Sequence, residues 1–375
     1  MNLSDYAPFM LHAIRLAEKG RWTACPNPTV GAVLVRNNEI VAEGWHHAAG
    51  QPHAEVECLR DAAAKGVNPA ECSLLVTLEP CNHYGKTPPC SEAVIAAGIK
   101  HVIIGMRDPN PVAGGGLERL QAAGVHTEAG LCARECEDLT ADFRCWQKKR
   151  PYVILKMAST LDGRIATRTG HSQWISAPES RASVHELRKN AARCGAAVFI
   201  GGGTFRADNP SLTVRTEGYT GVQPAACVVS SRLPAPDADY KLLRERPLDT
   251  IFLSSPAAAA SSTAAALRKN GVRVIALEQM LQKTSFLPVF HQLYEEYGFH
   301  YIICEGGGKL ALSLLNEGLV DEFRLHLAPL ILGDNEAKPL FDGLSPMTLD
   351  EGLGMRITDT KYCGQDIHLT LRPQA

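Results

Sequence analysis

Long apolar runs are absent from this chain. No uninterrupted apolar stretch approaches the ~20 residues that a bilayer-spanning helix requires. The first residues, Met1–Asp5, also lack the basic-then-apolar order of a secretory signal peptide. These absences argue against a membrane protein and a secreted one, so we expect a cytoplasmic protein with no membrane partner.

An excess of charge of one sign is missing too. Lys and Arg number 38 against 40 Asp and Glu, which gives a formal net charge of −2, and only 6% of the residues are aromatic. Proteins that bind nucleic acids generally present basic surfaces or grooves lined by stacking aromatic side chains. The composition therefore predicts no nucleic-acid partner.

Twelve cysteines are spread over the 375 residues without the spacing of a disulfide framework. Free cysteine commonly behaves as a small buried hydrophobic residue. We expect this of ten of them: Cys25, Cys58, Cys72, Cys132, Cys136, Cys145, Cys194, Cys227, Cys304 and Cys363. Only Cys81 and Cys90 lie in a context that suggests a metal.

The chain length suggests two domains, each large enough for its own core. Short β-type runs alternate with helical patterns up to about residue 145, as in a three-layer α/β domain. The polar stretch 148–151 looks like a linker, because Pro151 disfavours a helix at the residue before it. We predict domains at residues 1–147 and 148–375. The expected strands are 31–35, 40–43, 73–78, 101–105, 152–157, 196–201, 225–229, 250–253, 272–276 and 301–304, and the expected helices are 6–20, 53–65, 91–97, 177–193, 254–266 and 310–316.

The motif His53-Ala54-Glu55 is followed by Pro80-Cys81 and then by Cys90. One imidazole and two thiolates are zinc-ligand types, and three protein ligands leave a tetrahedral ion one open position, as in catalytic sites. A water in that position is acidified toward neutrality and can attack an amino-bearing ring carbon. Glu55 would then act as general acid and base, as in zinc-dependent nucleobase deaminases. We expect His53 and Glu55 in the first turn of one helix and Cys90 at the start of another.

Two other interpretations of these residues remain at this point. A buried helix histidine, an unrelated glutamate and two core cysteines would need no metal. A structural zinc would need a fourth Cys or His at short spacing, which the sequence does not offer. The ordered set of motif residues favours the catalytic site.

Two glycine-rich turns follow strand patterns in the second half of the chain, Gly201-Gly202-Gly203-Thr204 and Glu305-Gly306-Gly307-Gly308-Lys309. A turn of this kind before a helix lets backbone N–H groups approach a phosphate. Neither turn has the G-x-G-x-x-G pattern, and a tight connection without a ligand is an alternative explanation.

Longer segments carry a family resemblance. In the first half they are Pro26–Val33, Gly44-Trp45-His46, Gly50–Glu55 and Cys81–Cys90, and in the second half Lys156–Gly163, Ser172–Ile175, Thr204 with Asp208–Arg215, and Glu305–Gly307. Together they resemble the bacterial RibD family, the bifunctional deaminase/reductases of riboflavin biosynthesis. Single-domain cytidine and tRNA deaminases usually keep only two residues between their cysteines, so the longer interval here points away from them.

The resemblance implies an N-terminal three-layer cytidine-deaminase-like domain followed by a C-terminal dihydrofolate-reductase-like α/β domain. It implies hydrolytic deamination of 2,5-diamino-6-ribosylamino-4(3H)-pyrimidinone 5′-phosphate, then NADPH-dependent reduction of the ribosyl group to ribityl. The cofactors would be Zn²⁺ and NADPH, the partner a small phosphorylated pyrimidine, and we expect a homo-oligomer.

The resemblance also implies roles for individual positions. In the deaminase, Glu55 would be catalytic, His53, Cys81 and Cys90 would bind zinc, and Asn27, His46, His83, Lys86 and Thr87 would bind substrate. NADPH would contact Ala158, Trp174, Thr204, Asp208, Gly307 and Gly308. The reductase substrate would contact Lys156, Ser172, Arg188, Leu212, Arg215 and Glu305, the arginines being suited to its phosphate. Lys156 and Asp208 are the candidates for proton delivery, and Ser230-Ser231-Arg232 is a candidate for the cofactor's 2′-phosphate.

Two further hypotheses remain open from the sequence. One is an active zinc deaminase whose C-terminal half has lost reductase activity. The other is a nucleic-acid editor with a C-terminal binding module, which the charge balance, the few aromatic residues and the long interval between the cysteines disfavour.

Overall fold

The computed structural model describes residues 2–84, 88–280 and 283–374, with the backbone alone at 279–280 and 283–284. The chain divides into two compact units, Met1–Lys148 and Lys149–Ala375. Each has a hydrophobic core of its own. No described helix is both long enough and apolar enough to cross a bilayer.

The N-terminal unit is built on one five-stranded sheet. Its strands are β1 (Gly31–Arg36), β2 (Glu39–Trp45), β3 (Ser73–Leu78), β4 (His101–Met106) and β5 (His126–Ala129). Their order is β2-β1-β3-β4-β5, with β1 antiparallel to β2 and β3, and β3, β4 and β5 parallel. The helices are α1 (Ala7–Ala17), α2 (Ala54–Ala64), α3 (Cys90–Ala96), α4 (Gly116–Ala122), α5 (Ala133–Leu139) and α6 (Ala141–Gln147).

Glycines let two helices lie unusually close to this sheet. A Cβ on Gly44 of β2 would clash with the backbone nitrogen of Cys58 in α2, and a Cβ on Gly31 of β1 would clash with the carbonyl oxygen of Ala13 in α1. Any side chain at either position would push the helix away from the sheet. The contact at Gly44 therefore fixes the position of α2, which begins at the motif residues.

The C-terminal unit contains a nine-stranded sheet. The strands of the unit are β6 (Tyr152–Thr160), β7 (Arg164–Ala166), β8 (Ala196–Gly201), β9 (Ala225–Val229), β10 (Thr250–Ser254), β11 (Arg273–Ala276), β12 (Gln279–Met280), β13 (Lys283–Thr284), β14 (Tyr301–Gly306), β15 (Glu322–Ala328), β16 (Lys338–Pro339), β17 (Met355–Cys363) and β18 (Asp366–Pro373). The order in the large sheet is β11-β10-β9-β8-β14-β6-β15-β18-β17. Strands β11 to β15 in this order are parallel, whereas β18 and β17 are antiparallel to their neighbours.

Seven helices accompany these strands in the described residues: α7 (Pro178–Arg193), α8 (Gly202–Asp208), α9 (Lys241–Glu245), α10 (Pro256–Ala259), α11 (Ser262–Lys269), α12 (Leu287–Glu295) and α13 (Gly308–Asn316). The central strands β6, β8 and β14 begin with fully buried residues, as expected of parallel strands covered on both faces. Because these strands are parallel, their carboxyl ends lie at one edge of the sheet. The polar residues that follow the buried runs therefore meet at that edge.

Most expected elements are present, and β3, β8 and β9 have the expected bounds. The single helix expected at 254–266 is instead two helices, α10 and α11. Ser255 and Ser261 each accept a hydrogen bond from a backbone N–H three residues later, so each begins a helix of its own. The strands β15, β17 and β18 were not expected, and β17 is largely exposed, so it lacks the alternation of a half-buried strand.

Candidate active sites

Three metal-ligand side chains converge in the N-terminal unit. His53 is the N-cap of α2, Cys90 is the first residue of α3, and Cys81 lies in the loop after β3. His53 Nδ1 is 3.6 Å from Cys81 Sγ and 3.2 Å from Cys90 Sγ. All three ligand atoms lie within 4.8 Å of one another.

These separations suit a zinc ion. With Zn–S bonds of about 2.3 Å and a Zn–N bond of about 2.0–2.1 Å, a tetrahedral angle separates N and S by about 3.6 Å. The backbone N–H of Cys90 donates to Cys81 Sγ over 3.4 Å. The pKa of the Cys81 thiol is lowered to about 4, first by a hydrogen bond from the Cys90 thiol and then by His53. Spacing, residue type and thiolate character therefore all fit a zinc ion with three protein ligands.

Glu55 is buried at the second position of α2, with 3% of its surface exposed. Burial raises the pKa of its carboxyl to about 7, and the charge of the Cys81 sulfur adds to the shift. A carboxyl that titrates near neutrality can both accept and release a proton. Glu55 thus has the property that a general acid and base requires.

His46 and Asn27 form a fixed polar pair beside the metal ligands. His46 Nδ1 donates to the carbonyl oxygen of Pro52 over 3.0 Å, which leaves its Nε2 to accept from Asn27 Nδ2 over 3.1 Å. Burial lowers the pKa of His46, so the ring is neutral in this tautomer. Its centroid lies 5.3 Å from that of His53, edge to face.

Glu79 holds the segment between Arg107 and Leu117 in place. Its buried carboxylate accepts from Arg107 Nε over 2.8 Å and from the backbone N–H groups of Asp108, Gly115 and Leu117 over 3.0–3.2 Å. Four donors satisfy the carboxylate without a metal ion. Glu79 therefore acts as a structural anchor two residues before Cys81.

The C-terminal unit has a large cavity of about 1320 Å³ at the carboxyl ends of β6, β8 and β14. In its lining, Arg188 of α7 donates to both oxygens of Glu305 over 2.6 Å and to the carbonyl oxygen of Thr213 over 2.7 Å. Burial works against ionisation of Glu305, but Arg188 and then Lys156 more than offset it, so the pKa of Glu305 is lowered. Burial lowers the pKa of Lys156 to about 8. The cavity lining thus includes the Arg188–Glu305 ion pair and the Lys156 amine, whose pKa is about 8.

The helix α13 begins at the same cavity. Gly307 is its N-cap with φ +85°, a conformation that L side chains rarely adopt, and a Cβ on Gly308 would lie 2.6 Å from the carbonyl oxygen of Leu340. The first N–H groups of a helix have no partner within the helix and attract phosphate. Lys309 and Lys338 also line the cavity. This combination fits the phosphates of a dinucleotide such as NADPH.

Both halves of the chain match families of known proteins. The RibD C-terminal domain family matches residues 151–369, and the cytidine and deoxycytidylate deaminase zinc-binding region matches residues 3–106. The riboflavin biosynthesis protein RibD of Aquifex aeolicus is 37% identical over 366 residues, covering 96% of each chain. That of Synechocystis is 40% identical over 362 residues, covering 95% of this chain and 93% of its own. The chain belongs to the RibD family.

A crystal structure from Thermotoga maritima supports RibD membership at the level of the fold. That protein is described as a diaminohydroxyphosphoribosylaminopyrimidine deaminase/5-amino-6-(5-phosphoribosylamino)uracil reductase, and it matches with a TM-score of 0.75 and 32% identity, covering 100% of both chains. The expected fold class is confirmed, as are the bifunctional deaminase and reductase activity in riboflavin biosynthesis and the cofactors Zn²⁺ and NADPH. A phosphorylated pyrimidine substrate fits RibD enzymes. None of these findings supports a lost reductase activity.

Six of the nine residues expected in the deaminase site line a cavity of about 470 Å³. Its lining includes Asn27, His46, His53, Glu55, Cys81 and His83, and the buried Cys90 contacts His53 and Cys81. Among the described residues, His83 Nδ1 is buried without a hydrogen-bond partner. Lys86 and Thr87 lie outside the described residues.

Asp108 and Phe143 also line this cavity but were missed from the sequence. Asp108 directly precedes Pro109, with Pro111 two residues further on, and such a segment indicates a loop but no ligand. Burial raises its pKa. Phe143 lies in α6, far along the chain from the motifs, and the sequence gives no sign that it reaches the cavity.

The reductase cavity brings together eleven of the twelve residues expected there: Lys156, Ala158, Ser172, Trp174, Arg188, Thr204, Asp208, Arg215, Glu305, Gly307 and Gly308. Leu212 is the exception. Its side chain is 4% exposed and packs in the apolar cluster with Val198, Ile200 and Phe205. The backbone adopts the left-handed conformation at this residue (φ +54°). The Leu212 side chain lies in the core, although the adjacent residues Ser211 and Thr213 are polar.

The large cavity of the C-terminal unit has further polar residues that were not assigned to NADPH or substrate from the sequence. Ser230 and Ser231, considered for the 2′-phosphate, line it, and Arg206 donates to Ser230 Oγ over 3.3 Å. His185 lines it as well and accepts at Nδ1 from the N–H of Arg215 over 3.2 Å. His185 lies on the same face of α7 as Arg188, three residues apart, and this spacing was the signal that could have identified it.

Proposed function

We propose that the N-terminal domain, residues 1–147, deaminates 2,5-diamino-6-ribosylamino-4(3H)-pyrimidinone 5′-phosphate, and that the C-terminal domain, residues 148–375, then reduces the ribosyl group to ribityl. The boundary is supported by the division of the chain at Lys148 and by the family match that starts at residue 151. The observation that carries the proposal is that the ligand atoms of His53, Cys81 and Cys90 lie within 4.8 Å of one another. His53 and Cys81 line one cavity together with the buried Glu55.

Zinc held by His53, Cys81 and Cys90 would supply a Lewis acid that makes an attacking water more acidic. Glu55 accepts the proton of that water at its carboxylate and delivers it to the departing amino group, which leaves as ammonia. Its pKa of about 7 suits both transfers. Burial of Glu55 keeps bulk water from competing for the proton.

The pyrimidine would be oriented by neutral polar groups. Asn27, fixed by His46, can offer its remaining amide donor and acceptor to the ring or sugar. His83 has a free buried Nδ1 among the described residues and can bond the ribose. Lys86 and Thr87 remain our candidates for the phosphate.

In the reductase, NADPH would supply a hydride to C1′ of the ribosyl group, and the C1′–O4′ ring bond would break so that the ring oxygen takes up a proton. Gly307, Gly308 and Thr204 would hold its phosphates, and Ala158, Trp174 and Asp208 would contact the rest of the cofactor. Lys156 donates the accompanying proton to the sugar oxygen, and Asp208 is the alternative donor. Ser172, Arg215 and the Arg188–Glu305 pair would hold the substrate, with Leu212 contributing through the backbone of its loop.

The test follows ammonia release and NADPH oxidation separately with the zinc-loaded protein. Glu55→Gln should abolish ammonia release from the diaminopyrimidinone phosphate but leave NADPH oxidation intact when the deaminated uracil intermediate is supplied. Glu57→Gln is the matched control, because Glu57 lies in the same turn of α2 but pairs with the exposed Arg60. Full ammonia release by Glu55→Gln would disprove the assignment of Glu55.

Three wider expectations belong to the same proposal: a cytoplasmic location, a homo-oligomeric assembly and no nucleic-acid partner. Light scattering on the purified chain tests the assembly, and fractionation of the source cells tests the location. Strongly salt-dependent binding to single-stranded nucleic acid would contradict the last expectation.

A further inference from the structure

A second group of metal-ligand side chains lies in the N-terminal unit, away from the cysteines. His101 begins β4, and His126 and Glu128 lie on β5. One ligand atom from each residue lies within 4.8 Å of the other two. The RibD motifs do not include these residues.

The sheet itself brings them together. His101 and His126 are directly paired across the parallel strands β4 and β5. Side chains two residues apart on a strand share a face, so Glu128 lies on the same face as His126. The group is at the amino ends of the parallel strands, whereas Cys81 follows the carboxyl end of β3. Five residues of strand, about 16 Å, separate the two ends.

A hydrogen bond at Nδ1 fixes the orientation of the His101 ring. Ser73 Oγ lies 2.9 Å from His101 Nδ1, and Tyr6 OH lies 3.5 Å from Ser73 Oγ. The Tyr6 ring also packs edge to face on the imidazole, with centroids 5.7 Å apart. This directs Nε2 of His101 toward Glu128. A hydrogen bond to the second nitrogen is the usual way in which a metal-binding histidine is oriented.

A simple ion pair explains part of the arrangement. His101 Nε2 lies 2.9 Å from Glu128 Oε1, and a similar pair elsewhere, His12 Nε2 with Glu43 Oε2 at 2.9 Å, has no third ligand in the described residues. The difference is His126. Its Nε2 lies 3.8 Å from the same Glu128 oxygen, and its ring stacks on that of His101 at 5.1 Å.

Two imidazoles and a carboxylate form a recognised donor set. Ligand atoms bonded to one ion at about 2.0–2.2 Å lie roughly 2.9–3.6 Å apart, depending on the coordination geometry. The observed 2.9 and 3.8 Å therefore need only a small movement of the exposed His126 side chain. Imidazole with carboxylate suits Zn²⁺, Co²⁺, Ni²⁺ and Cu²⁺ better than the hard ions Mg²⁺ and Ca²⁺.

We propose that His101, His126 and Glu128 form a second binding site for a divalent transition metal, independent of the catalytic site. Three protein ligands and the exposed position of His126 leave room for water on the ion, so exchange with solvent is rapid. The bound ion links the edge strand β5 to β4 and, through Ser73, to β3. Metal analyses of this protein would then find two ions in each chain.

Titration of the metal-free full chain with Co²⁺ tests the proposal, because Co²⁺ bound by thiolates has an intense charge-transfer absorption that a His/Glu site lacks. Equilibrium dialysis should find two equivalents per wild-type chain, and only one should show the thiolate absorption. His126→Ala and Glu128→Gln should each lose the other equivalent and keep the thiolate-bound one, which also shows that the unit is folded. The control variant, His12→Ala, should keep both.

One equivalent in the wild type would overturn the proposal. So would a second equivalent that persists in both His126→Ala and Glu128→Gln, because the ion would then be bound elsewhere. Neither result bears on the deaminase assignment, which depends on the thiolate-bound equivalent.

Discussion

His326 and His368 stack face to face across β15 and β18, with ring centroids 3.5 Å apart and planes inclined by 7°. His368 Nε2 lies 2.8 Å from Ser180 Oγ, which donates to Asp366 Oδ2 over 2.6 Å. His326 Nδ1 is buried without a hydrogen-bond partner in the described residues. Both imidazoles are therefore held neutral inside the C-terminal unit.

Acidification should destabilise the C-terminal unit through this pair. Burial, with the charge of Lys156, lowers the pKa of His326 to about 2 and also lowers that of His368. Unfolded histidines titrate near 6.5, so below that pH the unfolded chain binds protons that the folded unit does not. Between pH 7.5 and 5.5 the loss of unfolding free energy should be about 1.4 kcal/mol for His326. Urea denaturation of wild type and His326→Leu at both pH values measures it.

The variant His326→Leu should show the smaller decline with acidification, whatever its stability at pH 7.5. The exposed His171 of the same unit provides the control, since His171→Leu should retain the wild-type decline. Equal declines of the unfolding free energy in His326→Leu and wild type would show that the stacked pair does not make stability depend on pH.

Removing the carboxylate from the buried Arg188–Glu305 pair should lower the unfolding free energy far more than the same change in a surface pair of similar geometry. Glu305→Gln leaves a guanidinium buried without its carboxylate, at a cost of about 3–5 kcal/mol of unfolding free energy. Arg168 and Asp334 also form a bidentate pair, at 2.7 and 2.6 Å, but at the surface. Asp334→Asn should therefore cost far less unfolding free energy, because water screens the exposed pair. Comparable losses in the two variants would refute the role of burial.

The reductase reaction should slow as the pH rises through about 8. Burial lowers the pKa of Lys156 to about that value, and only the protonated amine can donate to the sugar oxygen. Steady-state NADPH oxidation with the uracil intermediate, between pH 6 and 10, measures the profile. Lys156→Arg should react more slowly, but its profile should stay flat above pH 8 because arginine keeps its proton. A wild-type profile that is level to pH 10 would remove Lys156 as the proton donor.

Glu79→Gln should weaken the deaminase without removing any metal ligand. The amide replaces one acceptor oxygen by an NH₂ group that faces N–H donors, so Arg107 and the 108–117 loop lose their anchor. We expect a loss of about 2–4 kcal/mol in the unfolding free energy of the N-terminal unit and a higher KM, because Asp108 lines the substrate cavity. Glu118→Gln, which removes only the exposed partner of Arg107, should have little effect. An unchanged KM in Glu79→Gln would contradict this view of the loop.

Residues that lie close together in the sequence could be assigned from it. His53 and Glu55 lie at the start of one helix, and only eight residues separate Cys81 from Cys90, so local spacing limits where each can lie. The glycines at 307 and 308 were recognisable because a strand-to-helix turn is a local event. The buried runs of β3, β8 and β9 were recognisable for the same reason.

Contacts between residues far apart along the chain could not be predicted from the sequence. Phe143 reaches the deaminase cavity from α6, and His326 meets His368 only because β15 and β18 pair across the sheet. Leu212 fits the family pattern, yet its side chain enters the core. In each case a distant strand or a backbone turn decides the direction of the side chain, and periodicity within one segment carries no information about it.

The sequence by itself determined the RibD family and predicted a zinc-ligand set and two catalytic domains, because these depend on residue types at short, fixed spacings. Only the tertiary structure showed that Glu305 pairs with Arg188 and that His326 stacks on His368. It also brought His101, His126 and Glu128 together at the edge of a sheet. These properties depend on burial and on distances between strands, and neither quantity exists until the chain has folded.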